Sequence, residues 1–313
     1  APRNGWPALL SKEQQPIAHE IISYLIQLKT HKDDHNAKKP PPMYTLLHGG
    51  PGCGKTYLLK TIQWVLETLE LPAILQTAFT GIAACNMPRG MTSSKLLREN
   101  PMRGKATKTT DKYKMAVEPQ EYGMLWIDEI SMLKAEQFVK LDEALRHNYP
   151  MQGDKQGKEA AFGGMAVVLS GDFQQLPVVA GLSIIDGLLE RCNRNPKPPK
   201  HQKFQLQNKA FKRRSADLLQ LFRKRELTSQ QRCLDEKHNQ NLRDLRNLDI
   251  EHPFSSWPGV FKTYTPDDAA QDPSWHEAVV GVYTNDERAW LNHVRGVNFA
   301  KHRNTRVIRW PVK

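Results

Sequence analysis

Short apolar runs and longer helical stretches alternate along the first part of the chain. The apolar runs fall at Met43–Leu47, Ala73–Ala78, Gly123–Ile127 and Met165–Leu169. Each has the length of a buried strand, and none shows the apolar–polar alternation of a strand with one wet face. Thr56–Leu69 and Leu133–His147 separate them with helical spacing. Buried strands alternating with helices predict an α/β fold with a parallel sheet covered on both faces. A helix is also predicted over 11–29, where Ile17, Ile21, Ile22, Tyr24, Leu25 and Leu28 recur at mostly helical spacing behind Ser11 as N-cap. Two more are predicted at Asn208–Phe222 and Asp235–Leu248, with a linker at 193–201 between the halves of the chain. Residues 103–114 read as a basic loop. Residues 249–274, with Pro253, Pro258, Pro266 and Pro273, read as irregular.

Charge refines this picture more than composition does. The 313 residues carry Lys+Arg 45 against Asp+Glu 33, a net +12. Between Arg191 and Arg246 there are 16 Lys/Arg and 5 Asp/Glu, so this segment alone holds +11. Such a concentration reads either as a polyanion-binding surface, most often for nucleic acid, or as a solvated basic face. Cys53, Cys85, Cys192 and Cys233 lie far apart with no CxxC spacing. That argues against a zinc site or disulfide framework and for a reducing intracellular compartment. No apolar run reaches membrane-spanning length and no signal peptide is visible. His31, Asp33, Asp34 and His35 form a polar loop that reads as solvated rather than chelating.

The chemistry concentrates at the ends of the apolar runs. After MYTLL comes Gly49-Gly-Pro-Gly-Cys-Gly54-Lys55-Thr56, a GxxxxGK[ST] phosphate loop opening a helix. Backbone N–H groups of Gly50, Gly52, Cys53 and Gly54 would wrap phosphates, Lys55 would reach the β/γ oxygens, and Thr56 would ligate magnesium. MLWIDEIS delivers Asp128 and Glu129 to a strand end. There a carboxylate can hold magnesium, and its neighbour can orient or deprotonate a water. VVLSGDFQQLP places Gln174 and Gln175 after a further strand, where a glutamine can sense a γ-phosphate. In TAFTGIAACN, Thr80 and Gly81 suit a phosphodiester backbone. Phe79 reads either as a base-stacking platform or as a core aromatic.

Together these motifs resemble the petite-integration-frequency DNA helicases of superfamily one, relatives of RecD. The likeness rests on LSKEQ, GGPGCGKT, TAFTGIAA, GMTSSKLL, LWIDEISML, FGGMAVVLSGDFQQLPVV, LTSQQRCLD and VYTNDERAWLN, and covers about residues 8–295. It implies a RecA-like ATPase lobe over 1–190, then a basic linker and a partial second RecA-like lobe over 191–313. The opening VYTNDERAWLN stretch would supply a strand and helix of that second lobe. The resemblance implies that Gln14 contacts adenine and Tyr57 lines the nucleotide. It implies that Arg232 reaches the γ-phosphate from the second lobe, and that Thr92 and Ser94 join Phe79, Thr80 and Gly81 on single-stranded DNA. Phe79 stands where the family has proline, Ser94 where it has histidine, and Val178 where a second proline is common. The family's late motifs have no counterpart before Lys313, so the second lobe is expected to be incomplete.

The implied activity is ATP- and Mg²⁺-dependent 5′→3′ unwinding of DNA in replication, repair, recombination and telomere maintenance. The nucleus, or else the mitochondrion, is the implied compartment. The alternative is a nucleotide- and single-stranded-DNA-binding module that does not unwind.

Overall fold

A computed structural model describes residues 10–34, 36–99, 113–150, 154–178, 181–192, 202–246, 265, 267, 271 and 280–306. The chain divides into two compact units, Ala1–Asn247 and Leu248–Lys313. The first unit therefore runs well past the boundary expected at residue 190. The basic segment does not open a new lobe there; its strand and helices complete the first one.

The first unit is built on a six-stranded sheet in the order β3-β2-β4-β5-β1-β6. Its strands are β1 (Tyr44–Gly49), β2 (Ala73–Ala78), β3 (Met91–Thr92), β4 (Tyr122–Asp128), β5 (Ala166–Gly171) and β6 (Arg223–Leu227). Every neighbouring pair is parallel. All strand C-termini therefore meet at one edge, where ligands bind in open α/β sheets.

Strand alternation splits the core into two clusters, one on each face. In β4, Met124 and Trp126 join one cluster while Leu125 and Ile127 join the other. In β5, Ala166 and Val168 oppose Val167 and Leu169 in the same way. The first cluster packs under α1 (Gln14–Asp33), α2 (Lys55–Thr68) and α3 (Gly81–Asn86). The second packs under α4 (Ser93–Leu96), α5 (Ala135–Asn148) and α8 (Gln202–Leu219). With both faces covered, the central strands are continuously apolar. The two short helices α6 (Lys155–Glu159) and α7 (Asp186–Cys192) and the helix α9 (Glu236–Arg246) complete this unit.

Three expectations shift. Helix α1 begins at Gln14, because Ser11 caps a preceding turn: its Oγ accepts from Gln14 N (3.3 Å). The strand β6 was not expected, since RKREL offers only one buried apolar residue, Leu227. Its exposed cations are typical of an edge strand that resists further pairing. In the second unit, Val280–Thr284 forms no strand. The chain runs directly into α10 (Asn285–His302), which starts with a capping box between Thr284 and Glu287. The expected loop at 103–112 and linker at 193–201 lie outside the described residues.

Candidate active site

The phosphate loop spans the gap between β1 and α2. Gly52 and Gly54 have φ of +85° and +84°, which side-chain-bearing residues avoid. A Cβ at Gly54 would collide with the amide of Gln14, and one at Gly52 with that of Gln230. Gln14 is buried. It donates from Nε2 to Gly54 O (3.2 Å) and accepts at Oε1 from Ser11 N (2.9 Å). Its amide thus braces the loop backbone. Lys55 Nζ donates to Gly49 O (2.6 Å) and Gly50 O (3.0 Å), so its ammonium lies folded over the loop. Cys53 is buried, Thr56 is half-buried in the first turn of α2, and Tyr57 is exposed.

Asp128 ends β4 at the same sheet edge. It is buried, and its Oδ1 has no hydrogen-bond partner, although Ser170 on β5 and the Glu129 N–H stand close enough to favour its charged form. Buried polar atoms left unpaired are costly, and a hard cation with its waters is the partner such oxygens suit. Burial pushes the Asp128 carboxyl up, against the pull of Ser170, the Glu129 N–H and the Lys55 charge. Glu129 is also pushed up, first by burial and then by Asp128, despite Lys55. A carboxyl raised in this way suits proton transfer. Glu129 holds left-handed backbone (φ +57°), a strain of about 1 kcal/mol or more that tends to persist at functional sites.

At the end of β5 the environment reverses. Asp172 is buried too, yet Arg246 forks onto it from α9, Nη1 to Oδ2 at 2.6 Å and Nη2 to Oδ1 at 3.1 Å. Gln174 N donates to Oδ1 (3.1 Å), and His48 Nε2 lies 3.4 Å away. Burial alone would raise this carboxyl, but the Arg246 and Gln174 hydrogen bonds and nearby positive charge hold it below the ordinary range. Gln175 is half-buried, and it lines one cavity of about 490 Å³ together with Gly49, Gly50, Asp172, Thr228 and Arg246.

Residues 228–231 lie across the loop as a strap. Gln231 N donates to Gly52 O (2.9 Å), and Gln230 Nε2 donates to Pro51 O (2.9 Å). The strap is pinned by Glu13, whose carboxylate accepts from Thr228 N, Thr228 Oγ1 and Ser229 N. Adjacent residues Glu13 and Gln14 thus hold the strap and the phosphate loop in one bracket. Arg232 follows the strap but is exposed and does not line the cavity. The arginine set against the phosphate loop is Arg246, which the sequence pattern did not distinguish from its basic neighbours.

Those neighbours are substantially committed. Lys212, Arg214, Lys224, Arg225, Arg243 and Arg246 pair with Glu190, Asp142, Glu226, Glu20, Glu236 and Asp172 respectively. Four of these acids, Glu190, Asp142, Glu20 and Asp172, lie outside the segment and offset part of its net charge.

On the other side of Asp128, β2 and β3 carry the remaining candidates. Ala78 pairs with both Asp128 and Thr92, placing the three in one row across the sheet. Thr80 N-caps α3 through Ala83 N (3.2 Å), and Thr92 N-caps α4 through Lys95 N (3.2 Å). Ser94 Oγ accepts from Gln137 Nε2 (3.3 Å). Gly81 has open space around it, and Ile82 beside it is 81% exposed. Phe79 is half-buried and belongs to neither core cluster. Among the described residues no group of three or more His, Cys, Asp or Glu could hold a metal, and His31 Nδ1 instead meets Ala37 O at 2.6 Å. No described helix is long and apolar enough to cross a membrane.

Residues 9–184 match the family model for PIF1-like helicases. The chain is 37% identical over 140 residues to the ATP-dependent DNA helicase Pif1 of Psychrobacter sp. (strain PRwf-1), covering 42% of this chain and 19% of that protein. It is 32% identical over 191 residues to the ATP-dependent DNA helicase PIF1 of Saccharomyces cerevisiae (strain YJM789), covering 57% and 19%. The match thus spans about a fifth of each relative's length. Among solved structures, the Pif1 helicase from Candida albicans overlaps 93% of this chain and 55% of its own, with TM-score 0.52 and 18% identity. Bacteroides Pif1 in complex with ADP-AlF3 and single-stranded DNA overlaps 96% and 58%, with TM-score 0.50 and 19% identity. At these identities the structural likeness speaks to the fold.

Proposed function

Because the chain belongs to the PIF1-like helicase family, we propose that it is an ATP-dependent DNA helicase that draws itself 5′→3′ along single-stranded DNA. The observation that carries this reading is the convergence of Lys55, the Asp128 carboxylate with its unpartnered Oδ1, and the strained Glu129 on one sheet edge. The last residues of β2 and β3, Ala78 and Thr92, lie in the same row as Asp128.

In this reading the N–H groups of Gly50, Gly52, Cys53 and Gly54 hold the ATP phosphates, and Lys55 neutralises the β and γ oxygens. Gln14 would contact adenine while bracing the loop, and Tyr57 would line the nucleotide. Thr56 and Asp128 would hold a magnesium ion, and the unpartnered Asp128 Oδ1 fits that role. Bound there, the ion offsets charge on the phosphate oxygens. Glu129 orients the attacking water and takes its proton, and Gln175 senses the γ-phosphate. Arg232, just after the strap, would reach the γ-phosphate and neutralise charge there. Phe79, Thr80, Gly81, Thr92 and Ser94 grip the DNA strand, Phe79 by stacking. Its half-exposure outside both cores supports the stacking role. Replication, repair, recombination and telomere maintenance follow as settings, in the nucleus first and the mitochondrion second.

The deciding experiment is the ATPase rate of the chain with and without single-stranded DNA. Strong stimulation, lost in Lys55→Ala and Glu129→Gln, supports an engine. Nucleotide and DNA binding without stimulation supports the binding module instead.

A further inference from the structure

Two cations converge on one glycine of the phosphate loop. Lys55 Nζ donates to Gly50 O (3.0 Å), and Arg246 Nη1 lies 3.0 Å from where a Cβ on Gly50 would stand. Any larger residue at that position would press on the guanidinium. Arg246 reaches this point from the last turn of α9, 74 residues away in sequence from its partner Asp172. Gln174 Nε2 donates to the Arg246 carbonyl (3.2 Å), tying the end of α9 to the loop that carries Gln175. Arg246 and Gln175 line the same cavity as Gly49 and Gly50.

A guanidinium fork matches a carboxylate and a phosphate with the same geometry, and a phosphate offers more charge. Asp172 occupies the fork in this conformation. We propose that Arg246 is a phosphate ligand of the nucleotide site, held by Asp172 until a phosphate group takes over one arm of its fork. This rests on the ATP-site reading above. It makes α9 the element that registers nucleotide from the far side of the loop, and Asp172 a holding partner for the arginine.

The test compares binding of ATP, ADP and AMP by the full chain and by Arg246→Ala, Arg246→Gln and Arg246→Lys. The glutamine retains a hydrogen bond to Asp172 if the alanine variant fails to fold. Loss of Arg246 is expected to weaken ATP by about 10- to 100-fold, the worth of a charge-assisted hydrogen bond. ADP should suffer less and AMP least, and Lys should restore part of the ATP affinity. A purely structural clamp would lower the melting temperature and shift all three nucleotides equally, or none, and that result overturns the proposal. Lys55→Ala is measured beside them. If it leaves ATP affinity unchanged, the ATP-site reading itself fails. If it abolishes binding while the Arg246 variants bind normally, only the role of Arg246 falls.

Discussion

Two aspartates stand at the ends of adjacent strands of the same sheet, both with little solvent exposure, and live in opposite electrostatic worlds. Asp128 on β4 keeps an oxygen with no partner, and burial pushes its carboxyl up. Asp172, just after β5, is gripped by Arg246, met by Gln174 N and faced by His48, and its carboxyl is held down. Burial alone therefore says little about a carboxylate's purpose. An unsatisfied one costs stability and stands ready for an incoming cation. A satisfied one fastens elements together, here α9 to the sheet edge.

The comparison can be broken most decisively through Asp128. Asp128→Asn should lower Mg²⁺-dependent ATP hydrolysis by about a thousandfold, equivalent to several kcal/mol of transition-state stabilisation. Its thermal midpoint at neutral pH should hold or rise, because a carboxylate whose charged form burial disfavours has been removed. A clear drop in midpoint would place Asp128 among the fastening aspartates.

Asp142 supplies a fastening case outside the site. It is buried on α5, accepts from Phe162 N (2.7 Å), and pairs with Arg146 (3.0 Å) and Arg214 (2.7 Å). Asp142→Ala should cost about 3 kcal/mol in urea unfolding by stranding two arginines, without changing ATP affinity. Asp172→Asn should cost about 2 kcal/mol, less because it strands one arginine rather than two. If Asp172→Asn is as stable as Asp128→Asn, the contrast between the two strand ends collapses.

The smallest effect is in pH. Asp172 titrates lower in the fold than unfolded, so its stabilisation is present above the ordinary carboxylate pKa. It is lost as pH falls through the depressed value. Asp128 titrates higher in the fold, so its penalty is absent in acid and grows as pH rises through the raised value. Unfolding free energies from roughly pH 3 to 7 should therefore diverge in opposite directions for the two Asn variants relative to the parent chain. Parallel curves would remove the distinction.

The central sheet was legible because strands buried on both faces must be apolar at every position. Hence β1, β2, β4 and β5 fall within a residue or two of their apolar runs. Helices α2, α5 and α9 were legible by period. The strand β6 was not, because an edge strand needs only Leu227 inside, and its pairing was decided by the open edge of β1. That pairing also carried the first unit past residue 190, to Asn247. Candidate site residues of the phosphate loop, β4 and β5 were legible because each sits at a strand end, where backbone geometry is local. The bracketing role of Gln14 and the placing of Arg246 rather than Arg232 against the loop were not.

By itself, the sequence determined where the phosphate loop, the strand-end carboxylates and the central strands must lie. Glycine conformations and apolar periodicity act over a few residues and need no distant partner. Only the tertiary structure decided which charges meet. Sixteen cations between Arg191 and Arg246 look alike in a string. Arg246 and Asp172 find each other because α9 docks at the open end of β5, where a two-pronged, charge-assisted contact holds more firmly than a single contact between exposed groups.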